Sequence, residues 1–161
     1  MGTRRAAGDA TVSPPSGSPR AAALRLLGRR DYTVAELTTR LEARGYPTTA
    51  VAAVVASLVA EGLADDRRTA LSHIRVARDV KGRGRVRIAR ELAARGLDAD
   101  LVAAVMADQA DDDERTALER LLTRKRLPAR LSMIERRRLF QHLLRRGFPA
   151  DLIADTLRRR T

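Results

Sequence analysis

Few side chains in this chain could carry out chemistry, and their spacing argues against most reactions. Histidine occurs twice, at His73 and His142. Neither has a second metal-ligating residue three or four positions away, where one helix face would present both. His73 stands beside Ile74 and is expected to be hydrogen-bonded or exposed rather than metal-bound. Cysteine is absent, so neither disulfides nor thiolate metal sites arise. Two acidic clusters, Asp65-Asp66 and Asp111-Asp112-Asp113-Glu114, would suit Mg²⁺. Each instead directly precedes an expected helix, where carboxylates accept from free N–H groups and meet the positive end of the dipole. No Ser, His and Asp fall into a nucleophilic arrangement. Lys81-Gly82-Arg83-Gly84 lacks the preceding strand and the Gly-Lys-Ser/Thr ending of a phosphate-binding loop, so it reads as a flexible cationic joint. The chain is expected not to be an enzyme and to need no cofactor or metal.

What remains is charge. The chain carries 32 Lys+Arg against 20 Asp+Glu, a formal net charge of +12, and Lys81 and Lys125 are its only lysines. Such a balance favours a polyanionic partner, either nucleic acid or an acidic protein surface. No apolar run approaches the roughly 18–20 residues that span a bilayer. Arg4-Arg5 is followed by AAGDATVSPPSGSP, without the apolar segment of an export signal. Ala6 stands where myristoylation of Gly2 would want Ser or Thr. A cytoplasmic protein without membrane contact is expected.

The elements that position these cations come from a repeat. Arg44-Gly45-Tyr46-Pro47, Arg95-Gly96-Leu97-Asp98 and Arg146-Gly147-Phe148-Pro149 follow one another in two equal steps of 51 residues. The surroundings keep register: Leu37, Ile88 and Leu139; Leu41, Leu92 and Leu143; Val51, Val102 and Ile153. A period near fifty signals stacked supersecondary units. Each unit reads as three helices, over 21–29, 34–44 and 48–61, then 66–80, 84–95 and 98–109, then 112–126, 132–146 and 150–160. Thr33 with Glu36 and Ser132 with Glu135 look like capping boxes. Thr48, Asp98 and Pro149 suit the starts of the third helices. Gly45, Gly96 and Gly147 are expected as structural turns, taking the left-handed conformation just past a helix end. Alanine at Gly96 would cost about 1 kcal/mol through that conformation alone. The predicted organisation is all-α: a disordered tail over 1–19, then three-helix repeats over 20–64, 65–110 and 111–161.

Helical-wheel placement then localises the charge. On 84–95, Ile88, Ala89 and Leu92 face inward while Arg83, Arg87 and Arg90 group opposite. On 132–146, Leu139, Phe140 and Leu143 face inward while Arg138, Gln141 and Arg145 face out. The equivalent outward positions of the first repeat, Glu36, Thr39 and Ala43, are not basic. From Arg67 through Arg95 there are ten basic residues against two acidic ones. The candidate polyanion-binding residues are therefore Arg75, Lys81, Arg83, Arg87, Arg90, Arg138 and Arg145, in the second and third repeats. A helix-turn-helix transcription regulator is the less favoured alternative, because its recognition helix must carry base-reading side chains and AVAAVVASLVAEG has none. Aromatic residues, two Tyr and two Phe, are too sparse for base stacking. Contacts to DNA are expected at the phosphate backbone, with steep salt dependence.

The succession RLLGRRDYTVAELTTRLEARGY, EGLADDRRTA, KGRGRVRIARELAARGL and RRRLFQHLLRRGFPADLI resembles the RecX regulatory proteins over roughly 21–158. The resemblance implies an elongated, curved array of three three-helix repeats that lodges in the groove of the RecA–DNA filament. There it would restrain RecA's assembly, recombinase, ATPase and co-protease activities, and so DNA repair and the SOS response. It aligns Gly45, Gly96 and Gly147 with the family's turn glycines, and Lys81, Arg83, Arg87 and Arg90 with its cationic middle repeat. It carries over no catalytic residue. Thr69 departs from the family, which usually has an aromatic residue near this position. The expected partners are the RecA filament and DNA phosphates, with the chain acting as a monomer. A stand-alone, non-specific DNA-binding protein is the competing reading.

Overall fold

A computed structural model describes residues 17–108, 111–125, 127–128 and 131–159. Among the described residues all regular structure is helical. The elements are α1 (Pro19–Leu27), α2 (Val34–Glu42), α3 (Thr48–Ala60), α4 (Asp66–Arg75), a π-helical turn (Val76–Val80), α5 (Arg85–Ala94), α6 (Ala99–Ala107), α7 (Asp111–Arg124), α8 (Met133–Arg146) and α9 (Ala150–Arg158). The helix ends fall within two residues of the sequence reading, and two differences have a clear structural cause. The first helix starts at Pro19 rather than residue 21, because Ser18 accepts from the Ala21 N–H at 3.2 Å and Pro19 pre-sets the first helical φ. The tail expected over 1–19 therefore gives up its last two residues, and residues 1–16 lie outside the described ones. The helix expected over 66–80 changes to π geometry for its final turn.

The periodicity reappears as a repeated set of backbone hydrogen bonds. The N–H of Tyr46, Leu97 and Phe148 donates to Leu41, Leu92 and Leu143 respectively, and the N–H of Gly45, Gly96 and Gly147 to Glu42, Ala93 and Leu144. This is a Schellman-type helix end. It requires a left-handed residue, and the three glycines have φ of +86°, +79° and +90°. The next helices then begin alike, with Val51, Val102 and Ile153 donating to Pro47, Asp98 and Pro149. Asp98 caps α6 through its side chain, accepting from Asp100 and Leu101. Thr48 opens α3 without capping it, because Pro47 occupies the cap position and supplies no side-chain hydrogen bond. Ser132 and Glu135 form a reciprocal capping box at α8.

The chain divides into two compact units: residues 17–32 with 36–64, and residues 33–35 with 65–159. In the first, Ala22, Ala23, Leu26, Leu37, Leu41, Tyr46, Val51, Val55 and Leu58 are buried. Arg20 on α1 pairs with Glu61 just past α3 at 2.7 Å. The second unit holds two apolar clusters. One gathers Ala70, Ile74, Ala77, Ile88, Leu92, Leu97, Val102, Val105 and Met106. The other gathers Ala117, Leu118, Leu122, Leu139, Leu143, Phe148, Ile153 and Leu157. Every large apolar column of the repeat is thus in a core. Each such side chain contributes about 1.5–3 kcal/mol on burial, so the cores, rather than the weak propensity of short helices, hold the elements. Thr69 is buried at 2 % exposure.

In the second unit one joint occurs twice, 51 residues apart. The Val34 N–H donates to Asp66 Oδ1 at 2.8 Å, and the Arg85 N–H to Glu114 Oε1 at 2.8 Å. Each is the first helical N–H of its element, satisfied by a carboxylate from a different helix. The preceding residue docks on a glycine turn: the Thr33 hydroxyl donates to the Arg95 carbonyl at 2.7 Å, and the Gly84 N–H to the Arg146 carbonyl at 2.8 Å. Of the Asp65-Asp66 pair, Asp65 caps its own helix by accepting from Arg68 at 2.9 Å, while Asp66 caps α2. The side chains of 111–113 lie outside the described residues.

Candidate functional site

The structure sorts the seven candidate cations into separate environments. Arg83 and Arg87 converge on one carboxylate: Glu91 accepts from Arg83 Nη1 at 2.6 Å and from Arg87 Nε at 2.9 Å, with His73 Nε2 at 3.1 Å. Burial opposes ionisation of Glu91, but the hydrogen bonds from Arg87, His73 and Arg83 outweigh it and hold its carboxyl below the usual carboxylate range. Arg87 also donates to the Arg145 carbonyl at 3.4 Å, and its backbone packs against Gly147, so that a Cβ there would lie 2.4 Å from the Arg87 Cβ. The wheel places Arg83 outward. In the structure its side chain is 23 % exposed, because it precedes the first turn of α5 and folds back onto Glu91. These two arginines join α5 to its surroundings as well as adding charge.

Arg90, Arg138 and Arg145 remain exposed, as does Arg137. Arg137, Arg138 and Arg145 line one shallow groove along α8 with Ile134 and Gln141. Met133 and Ile134, in the first turn of α8, are 81 % and 66 % exposed. The sequence reading overlooked both Arg137 and this apolar end, although Met133-Ile134 directly after a capping serine was visible as an apolar pair on a helix start. Exposed apolar side chains ringed by cations mark interaction surfaces. Arg75 lies elsewhere, with Arg67 and Arg68 along α4, and Arg67 pairs with Asp108 at 2.6 Å. Lys81 lies apart again, at a cavity beside the π-helical turn.

His142 on α8 faces no partner with its Nε2. Burial, then the nearby charges of Lys125, Arg146 and Arg145, hold its imidazole below the ordinary value, which favours its neutral form. Among the described residues no three His, Cys, Asp or Glu side chains come together as metal ligands. No helix there is long and apolar enough to cross a membrane.

Comparison with known proteins places this geometry. Three family models match in order: the first RecX three-helix domain over residues 20–58, the second over 65–106 and the third over 112–157. The chain belongs to the RecX family. It is 37 % identical over 142 residues to the regulatory protein RecX of Chromohalobacter salexigens, covering 88 % of this chain and 92 % of that protein. It is 35 % identical over 158 residues to the regulatory protein RecX of Mycobacterium avium, covering 92 % and 91 %. The crystal structure of RecX from Lactobacillus salivarius superposes with a TM-score of 0.75 at 20 % identity, covering 88 % of this chain and 93 % of that one, which is a likeness of fold. The relatives are named regulatory proteins rather than enzymes. In this RecX-family chain the glycine-turn joints and the exposed face of α8 therefore belong to a fold whose named members regulate.

Proposed function

We propose that this chain is a non-catalytic regulator of the RecA recombinase. It binds the RecA–DNA filament and restrains filament assembly, ATPase, recombinase and co-protease activity, and through them DNA repair and the SOS response. It acts in the cytoplasm as a monomer, without cofactor, contacting RecA and DNA phosphates. The observation that carries this reading is the ordered match of three RecX domains across residues 20–157. The proposed contact surface is the groove along α8 lined by Arg137, Arg138 and Arg145, with Arg90, exposed on α5, as a further contact. Arg75 and Lys81 lie at separate positions and contribute longer-range attraction. Arg83 and Arg87, already held by Glu91, chiefly position α5. The clustered guanidiniums of α8 can each engage a phosphate or a carboxylate with paired hydrogen bonds, and the apolar Met133-Ile134 end suits a protein partner.

The test is binding of the full chain to preformed RecA filaments and to bare DNA at two salt concentrations, with Arg90, Arg138 and Arg145 each replaced by Glu in one variant. Preference for filaments that survives moderate salt, loss of that preference in the variant, and relief of RecA ATPase inhibition support the proposal. Equal affinities that both collapse with salt identify a non-specific DNA-binding protein instead. Unchanged ATPase inhibition by the variant would remove this surface from the mechanism.

A further inference from the structure

A cavity of about 210 Å³ opens between the π-helical turn, α7 and the end of α8. Five cations line it, Arg78, Lys81, Arg120, Arg124 and Arg146, against a single carboxylate, Asp79. That carboxylate is weakly engaged, with Arg120 Nη1 at 3.8 Å. Arg146 is held in place from behind, donating to the backbone carbonyls of Lys81 and Gly82. Gly82 is buried with φ +57°, a conformation that lets the chain turn tightly at the cavity wall.

The segment that shapes this wall is unusual on its own account. Val76–Val80 is wound as a π-helix at the end of α4, a rare geometry that is frequent at functional sites. It supplies both Arg78 and Asp79 to the cavity. Gathering five like charges in a concave space is unfavourable for the free protein, and a cleft lined by one sign of charge concentrates counter-ions. Guanidinium groups pair with phosphoryl oxygens in a bidentate manner. The volume is below the roughly 300–1,000 Å³ of pockets that enclose a drug-sized ligand. It admits a chain of phosphates and leaves a base and sugar outside.

We propose that this cavity binds the phosphate chain of a free nucleotide, at a site separate from the groove along α8. The same oxygens could be offered by a nucleic-acid strand, so the experiment sets the two sources against each other. Calorimetric titration of the isolated full chain uses inorganic tripolyphosphate, ATP, and an oligonucleotide lacking terminal phosphates. The variants are Arg120→Gln with Arg124→Gln at the cavity, and Arg138→Gln with Arg145→Gln on α8 as the control. Saturable binding of tripolyphosphate and ATP is expected, weakened about tenfold or more by the cavity pair and no more than about twofold by the control. Oligonucleotide binding should respond in the opposite order. Absence of saturable tripolyphosphate binding overturns the site. Equal losses in both variants reduce it to diffuse attraction. Cavity-dependent oligonucleotide binding without ATP binding overturns the assignment to a nucleotide. None of these readouts involves RecA, so failure here leaves the filament reading standing, and the converse also holds.

Discussion

At the scale of single residues, the glycines show how backbone strain and contact combine. Gly62 has φ +71° with open space around it, so Gly62→Ala carries the left-handed strain alone, about 1 kcal/mol. Gly84 is the reverse: its φ of −84° suits any residue, but a Cβ there would lie 2.4 Å from the backbone of Gly147 and Phe148. Gly147 has both problems, with φ +90° and the Arg87 backbone nitrogen 2.5 Å from its would-be Cβ. Denaturant unfolding should rank the alanine variants Gly62 as mildest and Gly147 as most severe, the latter losing roughly 3 kcal/mol or more as overpacking adds to strain. An equal loss at Gly62 and Gly147 would mean that backbone contact at the turn contributes nothing. Gly96, with Ala35 Cβ at 2.6 Å, should fall above the 1 kcal/mol that its conformation alone predicts.

At the scale of elements, two helix starts, those of α2 and α5, are satisfied by a carboxylate from another helix. Glu114 is 6 % exposed and accepts from the first N–H of α5. Glu114→Ala should cost about 1–2 kcal/mol, as loss of a cap does elsewhere, while Glu114→Gln, which keeps an acceptor oxygen, should recover most of it. Recovery by Gln distinguishes a cap from a purely ionic role. On the first unit, Arg20 and Ser57 donate to Glu61 at the end of α3. The side-chain hydrogen bonds from Arg20, then from Ser57, bring the Glu61 carboxyl from 4.5 to about 2. A depressed acid makes its full contribution above the unfolded value and loses it as pH falls through the native one. Stability should therefore decline between about pH 4.5 and 2, and Glu61→Gln should flatten that part of the profile. An unchanged acid profile in Glu61→Gln would assign the decline to other carboxylates.

For the whole molecule, the net charge of +12 does not say which cations are open to a partner. Glu91, Asp108, Asp155 and Glu61 already engage Arg83, Arg87, Arg67, Arg115 and Arg20. Affinity for duplex DNA should then track the exposed arginines of α8 rather than total charge. Each phosphate contact contributes about 0.9 to the slope of log affinity against log salt. Arg138→Gln with Arg145→Gln should lower that slope by up to about 2, whereas Arg83→Gln should leave it nearly unchanged. The measurement is duplex binding by fluorescence anisotropy across a salt series. An equal effect from Arg83 would show that its pairing with Glu91 opens on binding.

The amino-acid sequence by itself determined the helical class, the 51-residue step, the buried columns such as Leu41, Leu92 and Leu143, and the left-handed glycines. Each of these is a local property, either apolar spacing along one helix or a backbone angle that only glycine adopts without strain. The Ser18-Pro19 start is equally local, yet the sequence reading began the first helix at residue 21 and left both residues in the tail. Family membership was legible too, because the order of local elements carries it. The tertiary structure alone decided which arginines are exposed. A helical wheel treats Arg83, Arg87 and Arg90 alike, since it contains only angles about one axis. It cannot see that Glu91 and His73 sit where two of the three must fold, or that Gly147 brings α8 against Arg87. Likewise Asp66 and Glu114 read as caps of their own helices and instead satisfy α2 and α5, because the nearest unsatisfied N–H is set by packing. The cavity beside Lys81 depends on three segments far apart in the chain, and no spacing along the sequence could have announced it.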